Sequence, residues 1–413
     1  SKDKFSEAKT RIKMIDPLLT TAGWNLDDLT KVRREVPVDG YDAEPWKGVT
    51  DYCLYDSRNN VLAVVEAKKA SRSPREADAQ LRYYVEYIGK KQDFTPFGFM
   101  SNGINTYFWE VGLAHPRLVA GFYSPDDLSR LLFLRQNQQP LSETLINSSI
   151  VNRPYQHEAV RRVCEAFTEG KRRALLVMAT GTGKTRTTMA LIELFLKTNQ
   201  ARNVLFLADR DALVEQALTD GIKAHLPNEP RDRIYTYNID TSKRLFVATE
   251  QTMNVCYMKF TPGFFDLIIF DEAHRSIFQR FSEVIDYFDA RMIGLTATPA
   301  SFIDRDTFRV FGCLDSTPTF LYDYKTAVRE KFLVDFSLYQ AQTGFQRKGI
   351  KGVDLSEEDK NALIAQGLDP DEIDYAGTEI EKGISNKDTL RKQWEEVWDV
   401  CLKDQSGQLP GKT

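Results

Sequence analysis

ALLVMATGTGKTRTTMALIELFLK, residues 174–197, carries three textures in a row. ALLVM (174–178) is a continuous apolar run without alternation, the pattern of a strand buried on both faces. A glycine-punctuated turn follows, and from Thr187 to Lys197 the apolar residues return at helical spacing. Working outward, the same short apolar runs recur as VLFLA (204–208), LFVA (245–248), LIIF (267–270) and MIGL (292–295), with helical stretches between them. Buried strands alternating with helices predict an α/β domain built on a parallel sheet, here placed over residues 146–340. In such sheets ligands sit at the carboxyl ends of the strands, so chemistry is sought just after each run.

After the first run, Thr180, Gly181, Thr182 and Gly183 allow the backbone to curl so that successive N–H groups face phosphate oxygens. Lys184 is placed to reach the β- and γ-phosphates and the Thr185 hydroxyl to ligate Mg²⁺. Met178 stands where the strict P-loop pattern has glycine. Two carboxylates, Asp271 and Glu272, follow LIIF within the run Asp271-Glu272-Ala273-His274. Asp271 is expected to hold Mg²⁺ and Glu272 to orient and deprotonate the attacking water. Thr296 and Thr298 follow MIGL and bring hydroxyl groups to a third strand end. A glycine turn can be a packing device and paired acids a helix cap, but their joint occurrence at strand ends favours a nucleotide site.

At 413 residues the chain is too long for one core, and 42% apolar with 28% charged residues excludes a chain disordered throughout. The net charge of −4, from 55 Lys+Arg and 59 Asp+Glu, gives no global basic field, so any DNA contact must be local. No apolar run approaches the length that crosses a bilayer, and the opening SKDKFSEAKT lacks a signal-peptide core, so a cytoplasmic protein without a membrane partner is expected. Five scattered cysteines without a C-x-x-C pair and four histidines argue against a disulfide scaffold or structural zinc.

In the first 145 residues, two β-like runs flank an Asn-rich turn at 56–60, which reads as a hairpin. Alternation puts Glu66 and Lys68 on one face of its second strand, with Asp51 at the start of the first. Two carboxylates and a lysine can thereby bind Mg²⁺, activate water and stabilise a phosphorane, although an edge-strand salt bridge is the competing reading. Downstream, Gln80 and Tyr84 share a helix face at i,i+4 spacing. Between Ala67 and Lys91, seven Lys/Arg against three acids form a local basic strip. Glu7, on an opening amphipathic segment, can add a third carboxylate.

The ordered set AxTGxGKT, DEAH and TATP resembles the first RecA-like lobe of superfamily 2 helicases and translocases. The resemblance implies ATP and Mg²⁺ as cofactors, with Gln156 in the adenine-reading segment, Asp271 and His274 in the second motif, and Asp209-Arg210 with Thr249-Glu250-Gln251 at DNA contacts. Together with Asp51, Glu66, Lys68, Gln80 and Tyr84, the chain resembles the restriction subunit (HsdR) of Type I restriction-modification enzymes. That resemblance implies a PD-(D/E)xK endonuclease domain at 1–145, although Thr50 stands where the motif's name has proline. It further implies an ATP-dependent translocase lobe at 146–340, double-stranded DNA as substrate, and methyltransferase and specificity subunits as partners. A Type III restriction subunit has the opposite domain order. The alternative of another kind is a superfamily 2 remodelling ATPase whose first domain binds DNA without cutting. Residues 341–385 read as an acidic connector, with ten acids against one base between Asp354 and Glu381. Residues 386–413 are expected to begin a second RecA-like lobe that would carry the arginine finger.

Overall fold

The computed structural model describes residues 7–38, 48–273 and 277–335, with short stretches between 350 and 398. His274, most of the acidic connector and the expected start of a second lobe lie outside the described residues. The chain divides into two compact units, Ser1–Leu333 and Val334–Thr413. Among its described residues the second unit holds a two-stranded pair, Ile350–Lys351 with Asp374–Tyr375, and the helix Glu357–Ala365.

The first unit contains two sheets. The amino-terminal sheet has six strands in chain order: β1 (Val32–Pro37), β2 (Val49–Tyr55), β3 (Val61–Ala67), β4 (Phe97–Ser101), β5 (Thr106–Trp109) and β6 (Arg117–Val119). All neighbours are antiparallel except β3 and β4. That parallel pair needs a crossover, supplied by helix α2 (Asp78–Gly89). The expected hairpin is β2–β3. Its turn is set by Asp56, whose carboxylate accepts from the N–H groups of Arg58 and Asn60, and by Asn59 at φ 65°. Helix α1, in three pieces (Glu7–Thr10, a π-turn Arg11–Ile15, and Asp16–Thr21), covers one face together with α3 (Pro125–Asn137). On the other face α2 lays down Leu81, Tyr84 and Val85. It packs so closely that a Cβ on Gly98 of β4 would lie 2.7 Å from Leu81 Cδ2.

The second sheet contains β7 (Arg173–Met178), β8 (Val204–Ala208), β9 (Arg231–Arg233), β10 (Leu245–Thr249), β11 (Leu267–Asp271), β12 (Arg291–Thr296) and β13 (Phe320–Tyr322). Their order is β13-β7-β12-β11-β8-β10-β9, and every pairing is parallel. Leu267, Ile268, Ile269 and Phe270 are fully buried, as an unalternating run requires when helices cover both faces. Each such side chain contributes about 1.5–3 kcal/mol of burial. Helices α4 (Pro154–Thr168) and α5 (Lys184–Lys197) pack on one face and α7 (Glu250–Cys256) on the other; α6 (Asp211–Gln216) follows β8, and α8 (Ile277–Tyr287) precedes β12. The chain steps from β7 to β8, returns through β11 and β12, and ends at β13 beyond β7. This reversal sets the ends of β7, β12 and β11 side by side.

A polar seam joins the two sheets. Asp289, just before β12, accepts from Arg117 Nε (2.8 Å), from Arg172 Nη2 (2.9 Å) and from the Tyr123 hydroxyl. Nearby, Arg130 of α3 reaches Asp127 (3.0 Å) on its own helix and Asp266 (3.2 Å) at the entry to β11.

Candidate nucleotide and metal sites

At the end of β7 the chain turns through Gly181 (φ 83°) and Gly183 (φ 87°) and enters α5 at Lys184. Positive φ at both positions is what glycine supplies at least cost. The loop is braced from beneath. Tyr155 OH (2.8 Å) and Gln156 Nε2 (3.0 Å) both donate to the Thr182 carbonyl, and the Thr182 hydroxyl donates to Ala179 O (2.6 Å). Gln156 Oε1 in turn accepts from Arg153 N (3.4 Å), so both ends of this buried carboxamide are engaged on backbone. The resemblance implies Gln156 at an adenine edge; in this structure its carboxamide holds the Thr182 carbonyl of the glycine loop. Thr182 likewise turns its hydroxyl inward, whereas Thr180 and Gly181 face solvent and Thr185 is half-buried.

Lys184 Nζ lies 3.2 Å from Glu272 Oε1, bringing the glycine loop and the acidic pair together across β12. Glu272 has φ 57°, a left-handed conformation unusual for a non-glycine residue and characteristic of functional sites. Its N–H donates to Asp271 Oδ1 (3.1 Å). Burial, then the Glu272 charge, push the Asp271 carboxyl up to about 6; Lys184 acts in the opposite sense. Asp209, which the resemblance puts among DNA contacts, also adds its charge there, and its buried Oδ1 has no hydrogen-bond partner among the described residues. Between the two motifs Thr296 is fully buried and accepts from Thr298 N (3.0 Å). A carboxyl group raised by burial and by the charge of its acidic neighbour, beside a lysine and a hydroxyl, suits a hard divalent cation and a polyphosphate.

Sequence reading missed the aromatic floor under this loop. Tyr155 stacks on Tyr322 of β13 with centroids 4.0 Å apart, and Phe332 meets Tyr155 edge-on. No local signal ties residues so far apart in the chain.

A second cluster forms on the amino-terminal sheet. The β2–β3 register sets Tyr52 opposite Val65, so Asp51 faces Glu66 across the ladder. Asp51 N donates to Glu66 Oε1 (3.2 Å), and Ala67 N donates to Asp51 Oδ2 (2.7 Å). Glu66 is 1% exposed. Burial first, then the Asp51 charge, raise its carboxyl well above the ordinary range, and burial likewise raises Asp51. Glu7 on α1 adds a repulsive contribution to both. Lys68 Nζ lies 3.4 Å from Gln80 Oε1, and Gln80 Nε2 donates to Tyr84 OH (3.2 Å). Asp51, Glu66 and Glu7 thus form one group and Lys68, Gln80 and Tyr84 another, and the Lys68 charge acts against burial at both carboxyl groups. Among the described residues no third His, Cys, Asp or Glu completes a metal cluster with this pair. Two carboxylates suit Mg²⁺, which retains several waters and takes further oxygens from phosphate. The sequence reading also missed Arg11, whose Nη1 donates to Asp51 Oδ1 (3.0 Å). It lies four residues after Glu7 on the same helix, a spacing that could have signalled it.

Among the described residues no helix is long and apolar enough to cross a membrane. Residues 149–301 match the family described as "Type III restriction enzyme, res subunit". Over 376 residues the chain is 28% identical to the Type I restriction enzyme EcoAI endonuclease subunit of Escherichia coli, covering 84% of this chain and 45% of that protein. It is 27% identical to the EcoKI endonuclease subunit of Escherichia coli K12, covering 80% and 35%. The chain thus spans less than half the length of both relatives. A solved fragment assigned as an HsdR subunit of a type I restriction enzyme from Vibrio vulnificus is 26% identical, with 78% of this chain and 60% of that one covered and a TM-score of 0.33. The chain's homologues include the endonuclease (HsdR) subunits of Type I restriction enzymes, and the segment that matches the restriction-enzyme family carries β7 to β12 of the parallel sheet.

Proposed function

We propose that the chain combines an ATP-driven translocase on double-stranded DNA with a Mg²⁺-dependent endonuclease, as part of a Type I restriction complex. One observation carries this reading: a single compact unit holds two separate acid–lysine sites, Lys184 with Asp271 and Glu272, and Asp51 and Glu66 with Lys68. Residues 1–145 are then the PD-(D/E)xK nuclease domain and 146–340 the first RecA-like lobe. The acidic connector at 341–385 leads to a second lobe beginning at 386.

Asp271 and Thr185 at one site, and Asp51 and Glu66 at the other, would hold Mg²⁺, which would supply polarisation of phosphoryl oxygens and neutralisation of developing charge. In the motor the loop N–H groups and Lys184 bind phosphate oxygens, while Glu272, fixed by its left-handed backbone, orients the attacking water and takes its proton. In the nuclease Lys68, steadied by Gln80, sits beside the two acids and stabilises charge on the scissile phosphate. Sequence choice falls to methyltransferase and specificity partners, as the likeness to Type I restriction subunits implies.

The test is plasmid cleavage and ATP hydrolysis by the full-length subunit, reconstituted with its partners, for wild type and Lys68→Ala. Loss of cleavage with ATP turnover retained is the expected result. Cleavage at the wild-type rate would assign the first domain to DNA binding without cutting and leave a superfamily 2 remodelling ATPase.

A further inference from the structure

Arg11 lies inside the candidate nuclease site, yet the two-carboxylate chemistry does not account for it. It projects from the π-turn of α1, and its guanidinium forks: Nη1 donates to Asp51 Oδ1 (3.0 Å) and Nη2 to Glu35 Oε1 (3.1 Å). The other Asp51 oxygen is held by Ala67 N (2.7 Å), so Arg11 occupies the side of the carboxylate that a cation would need. The Arg11 and Asp51 side chains are 19% and 16% exposed, whereas Glu35 is 67% exposed. One arm of the fork is therefore sheltered and the other wet.

Glu35 also has an unusual backbone. It sits within β1 at φ 53°. Arg34 pairs with Tyr52 and Val36 with Thr50, so Glu35 lies level with Asp51 on the neighbouring strand. A left-handed residue inside a strand costs energy and is retained where the side chain has a task. π-turns too are concentrated at functional sites. Two irregularities, in α1 and in β1, thus converge on one guanidinium.

We propose that Arg11 is a positioning residue that serves as a built-in counter-cation for Asp51 and is handed over to Glu35 when a divalent cation binds. Without metal, the guanidinium neutralises one of two adjacent carboxylates that repel each other. When the cation engages Asp51, Arg11 keeps its second anchor and need not leave the site. The inference rests on the nuclease reading of Asp51 and Glu66, and it makes opposite predictions for the two partners of Arg11. Removing the competitor strengthens metal binding; removing the second anchor confines Arg11 to Asp51 and weakens it.

The experiment is Mn²⁺ binding to the full-length protein without nucleotide, read from the free-ion electron paramagnetic resonance signal. The site is isolated as the component lost in Asp51→Asn. Arg11→Gln should tighten this component by about tenfold, equivalent to about 1.4 kcal/mol. Glu35→Gln should weaken it by about threefold, as suits a partly exposed ion pair. Arg11→Lys, which keeps the charge and loses the fork, should fall between wild type and Arg11→Gln. In the double variant the Glu35 effect should vanish, because the group it anchors is gone. Weaker or unchanged binding in Arg11→Gln would overturn the proposal, as would an undiminished Glu35 effect in the double variant. If Arg11→Gln loses its cooperative unfolding transition, Glu35→Gln decides alone, since its side chain is at the surface; unchanged or tighter binding there overturns the idea. Absence of any Asp51-dependent Mn²⁺ component would overturn the metal-site reading itself, an outcome distinct from a site that binds normally and ignores Arg11.

Discussion

Asp289→Asn should uncouple the two sheets of the first unit. The carboxylate is 11% exposed and receives Arg117 Nε at 2.8 Å on both oxygens, Arg172 Nη2 at 2.9 Å and the Tyr123 hydroxyl. Asparagine has nearly the same shape, but it removes the charge and turns one acceptor into a donor facing other donors. Breaking a buried ion pair from one side costs about 3–5 kcal/mol. Arg172 is 39% exposed and can be rescued by water, so the lower end applies, about 3 kcal/mol. That is a large share of the roughly 5–15 kcal/mol that holds a domain folded. The assay is urea unfolding of the full-length protein followed by tryptophan fluorescence. Trp24 is a suitable reporter because its indole N–H donates to the Tyr123 carbonyl (2.9 Å), beside the seam. The pH profile supplies an internal check. Burial by itself would raise the Asp289 carboxyl, but Arg172 and Arg117 outweigh it and hold the group below the usual carboxylate range. A depressed carboxylate adds stability above the unfolded pKa of about 3.9 and loses it as pH falls through the folded value. The difference between wild type and variant should therefore be constant from about pH 5 to 8 and shrink below about pH 4. A loss under about 0.5 kcal/mol at pH 7, the range of an ordinary surface substitution, would refute the assignment of this seam as a buried ionic contact.

Ile269→Asp places a charge at a fully buried position of β11 and should abolish the unfolding transition of the parallel-sheet domain, since an unpaired buried ion costs several kcal/mol; circular dichroism during heating checks this. Glu272→Gln should lower ATP turnover by about 10²–10⁴-fold in the full-length protein while a fluorescent ATP analogue still binds. Gly183→Ala would set a Cβ against Gln156 Nε2 at φ 87°, displacing the brace of the glycine loop. Nucleotide binding should be lost with the fold retained, as equilibrium dialysis would show.

Much of the parallel sheet can be read from local composition. ALLVM, LIIF and MIGL correspond to β7, β11 and β12 within a residue or two, because a strand buried on both faces must be apolar throughout. The short strands β9 and β13 could not be read that way. β9 is RDR, a polar edge, and β13 is FLY, three residues held by pairing with β7. On the amino-terminal sheet the β2–β3 hairpin was legible from its turn, whereas β1, β4, β5 and β6 are defined by lateral partners that no local window contains.

For the candidate sites the division follows the same physics. The sequence by itself determined the chemical inventory: a glycine turn between strand and helix, two acids after a buried strand, and a carboxylate, lysine and glutamine at alternating and helical spacings. These are nearest-neighbour properties, set by backbone period and side-chain type. Only the tertiary structure decided that β12 lies between β7 and β11, which brings Lys184 to Glu272. It alone turned Gln156 under the glycine loop, set Arg11 between Asp51 and Glu35, and joined the sheets through Asp289. Each of these contacts closes a loop of tens to hundreds of residues. Its partner is selected by packing of the whole unit, an energy that no short stretch of chain contains.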